Sequence, residues 1–516
     1  MKRPLEIILC ALLLFAAAFF LFTRENRFAF YYHSDEPGKT RQVVTGEWNF
    51  HHPMLLVTAT RLAVEATGLL AMENNGQRVT ETGRNISAAF TAGAAALLMA
   101  SVWLLAGRFA AIAAGLLLLT NRQLFELAHY FKEDTALLFG VACWFFALVL
   151  FWRRPSTGRL LLLGAGAGLA ASGKTLGLFA LPLSLGLLAF HPALPRRWSR
   201  IALFGLSFLM VVVAINFPAV TEWSAFRQSF RKELNLAVGG HGGMTRSIPH
   251  DVYLTAFRAN VIFVLWPLIL WYYVRCWRER RSLSGAEKVV ALFPVLYLAI
   301  LSFAPKTNDR YFLPATALFL CTAAMGMSLL RDHLARRGLS ARAFGVASIA
   351  LIVVGVAAQL PYKGVPAYYG AFRVDDTADL AAWLNIHLPD ARLAIDDKVM
   401  LPSPKYDQYA AYQPEIKAPI APKPVEDFAD VGELRRAGVT HVVLTEAVYG
   451  RYKLERLRPK SGFREEYERK KELYADLLAG EPLWTRDRGI VVYLHPGLVV
   501  LAVPPAAPAT PAATLP

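Results

Sequence analysis

Residues 55–72 read LLVTATRLAVEATGLLAM, and the placement of this stretch decides the architecture. It is apolar and long enough to be taken for a short membrane span. Arg61 and Glu65, however, stand four residues apart and share one helix face. A crossing helix would carry that pair through lipid, whereas a helix lying along the membrane surface leaves it in water and buries the opposite face. The arginines elsewhere choose between the two. With residues 55–72 on the surface, Lys2-Arg3 and the alternate loops all fall on the cytoplasmic side. These loops carry Arg108, then Arg153, Arg154 and Arg159, then Arg196, Arg197 and Arg200, then Arg275, Arg278, Arg280, Arg281 and Lys288, then Arg331, Arg336, Arg337 and Arg342. If residues 55–72 crossed, every later basic loop would face outward, against the positive-inside bias.

The chain has 516 residues, of which 55% are hydrophobic, with long apolar runs over the first two thirds. That is the composition of a polytopic α-helical membrane protein. About eleven segments qualify as transmembrane helices, near Leu5–Phe22, Ser87–Ala106, Phe109–Thr120, Thr135–Trp152, Leu160–Ser172, Gly177–Phe190, Ile201–Val220, Val252–Val274, Val289–Phe303, Phe312–Leu330 and Phe344–Leu360. The net charge of +16 lies largely in short loops, where it sets orientation, so nucleic acid is not expected as a partner. Cys10, Cys143, Cys276 and Cys321 lie within or beside apolar runs, without zinc-site spacing. Met1-Lys2-Arg3 and the following apolar run read as an uncleaved signal anchor. The expected location is therefore the cell (inner) membrane, with the N-terminus cytoplasmic and the C-terminus periplasmic or extracytoplasmic.

The organisation expected is a membrane domain over 1–360 and a non-cytoplasmic small α/β domain over 361–502. A Pro/Ala-rich disordered tail over 503–516 follows. Helices are expected at Asp379–His387, Gly432–Ala437 and Tyr467–Leu478, and strands at Ala391–Ile395, Thr440–Thr445 and Gly489–Leu494. The first outer loop, 23–86, is long and aromatic, as functional loops are. A second, Thr221–Asp251, carries Gly239-Gly240-His241-Gly242-Gly243, which suits a lid or acceptor loop and equally a plain flexible connector.

Several charged residues converge on the outer face in this topology: Asp35, Glu36, His51 and His52 in the first loop, His129, Lys132, Glu133 and Asp134 before the fourth span, Lys174 after the fifth, and Lys306, Asp309, Arg310 and Tyr311 before the tenth. Each has a bland reading, Asp35 and Asp134 as helix caps, Lys174 as a snorkelling lysine, Arg310 as an interfacial anchor. Together they supply cations for a phosphate and a carboxylate for a hydroxyl proton, which is what an anionic lipid-linked substrate requires. Gly168 to Thr175 formally matches a nucleotide-binding P-loop, but it falls within a membrane span and lacks the soluble strand and helix of that motif.

At these residues the chain resembles the GT-C superfamily of integral-membrane glycosyltransferases, in the branch of protein O-mannosyltransferases and lipid A aminoarabinose transferases. Asp35-Glu36 matches the acidic motif of the first outer loop. His52-Pro53-Met54-Leu55 resembles the His/Lys-Pro-Pro-Leu element, with Met54 replacing its second proline. Glu133-Asp134-Thr135-Ala136-Leu137 fits the Asp-x-x-Leu opening of a span. Ser172-Gly173-Lys174-Thr175, running on to Pro182, fits the lysine turn, and Arg310-Tyr311-Phe312-Leu313-Pro314 fits the Arg-Tyr-x-x-Pro element. The resemblance covers roughly Met1 to Leu360. It implies transfer of a sugar from a polyprenyl-phosphate donor to an acceptor hydroxyl, with inversion, on the non-cytoplasmic face. The acceptor is unnamed: a glycolipid, polysaccharide or protein.

The site residues follow from it. Asp35 is expected as general base, Lys174 and Arg310 as donor-phosphate ligands, and Glu36, His52, Asp134 and Tyr311 as substrate-binding groups. No cofactor is required. His33, His51, His52, His129 and His241 raise a divalent metal as an option, but no ligand spacing supports one. The partners expected are the polyprenyl-phosphate sugar lipid, the acceptor and membrane lipids. The competing class is a polytopic transporter or lipid flippase, for which two related halves with paired broken helices are expected and not found.

Overall fold

The structure is a computed structural model. It describes all residues except 1, 27–31, 74, 191–196, 240–243, 247–248, 303–307, 338–339, 361–363, 375, 398, 400, 402–415, 454–456, 460 and 506–516. Lys306, His241, most of the Gly-rich stretch and the end of the Pro/Ala tail fall outside the described residues. The chain divides into two compact units. The first is Met1–Phe28, Asp35–His241 and Ile248–Gly370. The second is Ala29–Ser34, Gly242–Ser247 and Ala371–Pro516.

The first unit is helical. Its elements are α1 (Lys2–Phe22), α2 (Glu36–Thr45), α3 (Leu55–Ala66), α4 (Gly76–Leu119), α5 (Arg122–Ala128), α6 (Glu133–Arg153), α7 (Thr157–Gly173), α8 (Ala180–Phe190), α9 (Arg197–Ile215), α10 (Phe217–Thr221), α11 (Trp223–Gly239), α12 (Pro249–Asn260), α13 (Trp266–Arg278), α14 (Gly285–Ser302), α15 (Leu313–Arg336) and α16 (Ala341–Ala357). Each of the eleven expected segments coincides with one of these helices or an adjoining pair. Among the described residues, six helices are long and apolar enough to cross a membrane. A seventh crossing results if α12 and α13, bent by 87° at the break before Phe263, count as one.

The 44 residues of α4 would extend about 66 Å as a straight helix, roughly twice the hydrocarbon thickness of a bilayer. Gly107, at φ 86° and ψ 179°, interrupts it at the expected boundary between the second and third segments. No L-residue holds that conformation without strain.

Residues 55–72 form α3 followed by a short 3-10 turn, Leu69–Ala71. Arg61 pairs with Glu65 on the exposed side and also donates to the carbonyl of Val43 at 2.5 Å, tying α3 to α2. The other side packs Leu55, Leu56, Val57 and Val64 into a cluster with Val43, Val79 and Phe131. In the second loop, α11 is amphipathic. It leaves Trp223 and Leu234 exposed, sets Phe226 edge-on to Phe50 at 6.2 Å, and donates from Ser229 to the carbonyl of Asn49 at 2.7 Å.

Glycines set the spacing of α6, α7 and α9. A Cβ at Gly173 would lie 2.6 Å from the Ala136 carbonyl carbon, and one at Gly166 would lie 2.7 Å from the Trp144 Cα. Gly140 on α6 faces Ala170 in the same way. On the opposite side of α7, Gly164 and Gly168 meet α9 at Phe204, Phe208 and Val211. Small residues on two faces let α7 pack backbone to backbone between its neighbours, as membrane helices do. The glycines of the P-loop-like pattern are thus committed to helix packing.

The second unit is built on a four-stranded sheet of β2 (Leu393–Ile395), β3 (His441–Thr445), β6 (Leu498–Ala502) and β5 (Pro482–Arg486), in the order β2-β3-β6-β5. β2 and β3 are parallel and the other two pairings antiparallel. A separate two-stranded ribbon pairs β1 (Met244–Arg246) with β4 (Leu457–Pro459), so the second loop contributes a strand to this unit. Side chains alternate across the sheet. Ala394, Val442, Leu444, Val499 and Leu501 pack with residues of Val431–Arg436, Glu446–Lys453 and Arg464–Leu478 on one face. Leu393, Ile395, Val443, Leu498 and Val500 pack with Leu380 and Leu384 of Asp376–His387 on the other.

One expectation fails here. Gly489–Leu494 is a compact turn rather than a strand. His495 donates its backbone N–H to Val491 at 2.8 Å and its carbonyl accepts from Gly489 at 3.0 Å. The apolar run there fills the core through Val491 and Leu494 without strand pairing.

Glu36 sits at the start of α2 and is fully buried. Arg84 of α4 meets both its oxygens, at 3.1 and 2.8 Å, and the Phe131 N–H donates to it at 2.9 Å. This bidentate pair fixes the first loop to α4 and to the turn before α6. Arg84→Met leaves an uncompensated buried carboxylate and is expected to cost about 3–5 kcal/mol. It should lower the thermal midpoint of the detergent-solubilised protein, and Arg84→Met combined with Glu36→Gln should recover part of the loss.

Candidate functional site

Close packing of α6 on α7 puts the first turn of α6 beside the end of α7, and so Asp134 beside Lys174. Lys174 Nζ lies 2.5 Å from Asp134 Oδ1. Arg310 stands in the short 3-10 turn Asp309–Phe312 that leads into α15. That turn is held from α5: Gln123 donates to the Asp309 carbonyl at 3.1 Å while accepting from Thr316 at 2.7 Å. Arg310 Nε then reaches Asp134 Oδ2 at 3.5 Å. One carboxylate, 1% exposed, thus takes a cation on each oxygen. The Tyr311 ring lies under Lys174, with Nζ 4.2 Å from the centroid, and has Arg310 at 5.9 Å. Sequence-predicted Asp134, Lys174, Arg310 and Tyr311 therefore come together.

Asp35 joins them through Lys132, with which it is ion-paired. It stands at the N-cap of α2 but makes no side-chain capping bond, which sets aside the capping reading. Its side chain is 46% exposed, while that of its lysine is 1% exposed. Glu133 pairs with Lys39 of α2, both buried. Glu36, expected to position substrate, is enclosed with both oxygens engaged. Asp134, expected in the same role, has both oxygens turned to cations. His52 lies half-buried in the connection between α2 and α3. His51 faces Glu233 of α11 at 3.8 Å.

His129, a candidate from the sequence, is buried with its ring nitrogens 2.7 Å from the Phe125 carbonyl and 2.8 Å from that of Arg24. It ties α5 to the end of α1. Among the described residues no group of three His, Cys, Asp or Glu side chains is placed to hold a metal ion.

Sequence reasoning missed Arg84, Lys39, Gln123 and Thr316. For Arg84 the available signal was a guanidinium just before an apolar run; for Lys39 it was a lysine three residues beyond Glu36, on the same helix face. Burial, and then Lys174 and Arg310 nearby, push the Lys39 ammonium down to about 7, against the opposing pull of Asp134 and Glu36. Burial, followed by Asp309, raises the Glu126 carboxyl on α5 to about 7.

No family model and no curated protein matches the sequence. Solved structures do match the fold. ArnT from Cupriavidus metallidurans, solved with undecaprenyl phosphate bound, superposes with a TM-score of 0.52 at 15% identity, over 96% of this chain and 99% of that one. The oligosaccharyltransferase of Archaeoglobus fulgidus in its apo form gives 0.53 at 13% identity, over 87% and 70%. AglB from Archaeoglobus fulgidus, in complex with an inhibitory peptide and a dolichol-phosphate, gives 0.50 at 14%, over 84% and 69%. The chain shares the fold of these structures, a polytopic α-helical membrane protein with a small α/β domain at its C-terminal end.

Proposed function

We propose that this protein is a membrane glycosyltransferase that moves a sugar from a polyprenyl-phosphate donor to an acceptor hydroxyl, with inversion, on the non-cytoplasmic face of the membrane. The observation that carries the reading is the Asp134 node, where buried Lys174 and partly buried Arg310 are held by one carboxylate with an aromatic face beneath the lysine. The reading is supported by the polyprenyl phosphates bound in the similar structures of ArnT and AglB.

Chemistry follows from charge. When the anomeric C–O bond breaks, the bonding pair leaves with the lipid phosphate, whose negative charge rises. Cations already fixed at that position stabilise the transition state more than the ground state and need not reorganise. Lys174 has three N–H donors and Arg310 five, so both retain donors for a phosphate while Asp134 orients them. Asp35 is the half-exposed carboxylate beside this node. It takes the proton of the acceptor hydroxyl as the oxygen attacks the anomeric carbon from the face opposite the phosphate. Lys132 holds Asp35 in place, and Glu36 anchors the loop that carries it.

The donor grip is tested by Lys174→Ala and Arg310→Ala. Each is expected to weaken binding of undecaprenyl phosphate roughly ten- to hundredfold, from about 1.5–3 kcal/mol per charge-assisted hydrogen bond. The double variant should lose less than the sum, since both cations address one phosphate. Unchanged affinity in both single variants would reject the assignment.

Asp35→Asn keeps the side-chain shape without a useful base. Turnover by the purified variant should fall by at least about 10²–10⁴-fold with donor binding nearly intact. Wild-type turnover would remove Asp35 from the mechanism.

Orientation is tested by membrane-impermeant thiol labelling of intact cells. A cysteine at exposed Glu47 should label from outside and one at Arg280 only after permeabilisation. Labelling of both from one side would contradict the topology.

A further inference from the structure

We propose that Lys39 is a third cation of the donor-phosphate site, with Glu133 as its partner while the site holds no anion. This rests on the glycosyltransferase reading and deepens it.

Lys39 lies three residues after Glu36 on α2, its side chain 7% exposed and paired with Glu133, which is 3% exposed. Its carboxylate partner is the residue next to Asp134 in the first turn of α6, which places the ammonium beside the Asp134 node, in the field of Lys174, Asp134, Arg310 and Glu36. With Lys39 protonated, the linked pairs Asp35–Lys132, Glu36–Arg84, Lys39–Glu133 and Lys174–Asp134–Arg310 set five cations against four carboxylates. Buried charge of one sign is costly unless something neutralises it. A lipid phosphodiester carries one negative charge and balances the set, and the phosphate that leaves after transfer carries at least as much.

The three cations play different parts. Lys174 and Arg310 share Asp134, which fixes them. Lys39 has a carboxylate to itself, so it can turn from Glu133 to an arriving phosphate. Among the groups acting on it, Glu36 comes from its own helix, Glu133 and Asp134 from α6, Lys174 from the end of α7 and Arg310 from the turn before α15, with Arg84 of α4 bound to Glu36. Lys132 and Asp35 lie next to these, and Arg61 and Glu65 of α3 sit at the far, Val43 end. In the empty site burial, and after it the two neighbouring cations, press its proton off near neutral pH. An anion reverses that pressure, so binding above about pH 7 takes up a proton, and affinity should fall as pH rises.

The test uses the full chain in detergent and two probes, undecaprenyl phosphate and undecaprenyl methyl phosphate. The second is a phosphodiester with no titration of its own in this range. Lys39→Met alone strands Glu133 and endangers folding, so the informative variant is Lys39→Met with Glu133→Gln, which keeps the net charge of the cluster. It should unfold at a temperature near that of the wild type and bind both probes roughly ten- to hundredfold more weakly. Glu133→Gln alone should bind at least as tightly as the wild type.

Lys39→Arg, permanently charged, should retain affinity for the phosphodiester and lose the decline that the wild type shows above pH 7. Wild-type affinity in the double variant, or an unaltered pH profile in Lys39→Arg, overturns the proposal while leaving the glycosyltransferase reading in place. If the wild type binds neither probe, both fall.

Discussion

Asp134 accepts Lys174 on one oxygen and Arg310 on the other, and the first unit is arranged so that this can happen in a buried place. Three stretches must meet: the start of α6, the end of α7 and the turn that opens α15. A charged group inside a membrane protein is tolerated when it is paired and hydrogen-bonded, so the node is stable only while all three remain in register. The glycines of α6 and α7 secure the first two, since larger side chains at Gly140, Gly166 or Gly173 would collide with the backbone opposite. Gln123 and Thr316 secure the third.

Around that node the first loop is held by charge as well. Glu36–Arg84 is a full bidentate pair with no exposure on either side chain, and it presents α2 so that Asp35 and Lys39 both face the acids and lysines before α6. Of the four carboxylates, Asp35 is the exposed one, at 46%, against 0–3% for Glu36, Glu133 and Asp134. An arrangement with one accessible acid and closely held cations separates the two tasks of the proposed reaction, taking a proton from the acceptor and receiving charge on the leaving phosphate.

Much of this was legible in the sequence because membranes constrain it. Apolar runs gave the helices, and alternate arginine loops argued that Leu55–Met72 lies along a surface, where the structure has an amphipathic α3. Asp134, Lys174, Arg310 and Tyr311 were visible because each opens or closes an apolar run, where a charge is expensive. The pairings were not visible. Glu36–Arg84 spans 48 residues and Glu36–Phe131 spans 95, and no local periodicity records such a contact. The glycine pattern ending at Lys174 matched a nucleotide loop by spacing alone, and only helix packing explains it. In the second unit, residues 489–494 have strand composition but close into a turn because Gly489 and Val491 bond back to His495.

The central claim is that the Asp134 node receives a lipid phosphate. The most direct measurement is an experimental structure of the full chain in a lipid nanodisc with undecaprenyl phosphate. The account predicts the phosphate within hydrogen-bonding distance of both Lys174 and Arg310, with the polyprenyl chain leading away from the half-exposed Asp35. A headgroup bound elsewhere, with Lys174 and Arg310 still closed on Asp134 and touching no ligand, would contradict it.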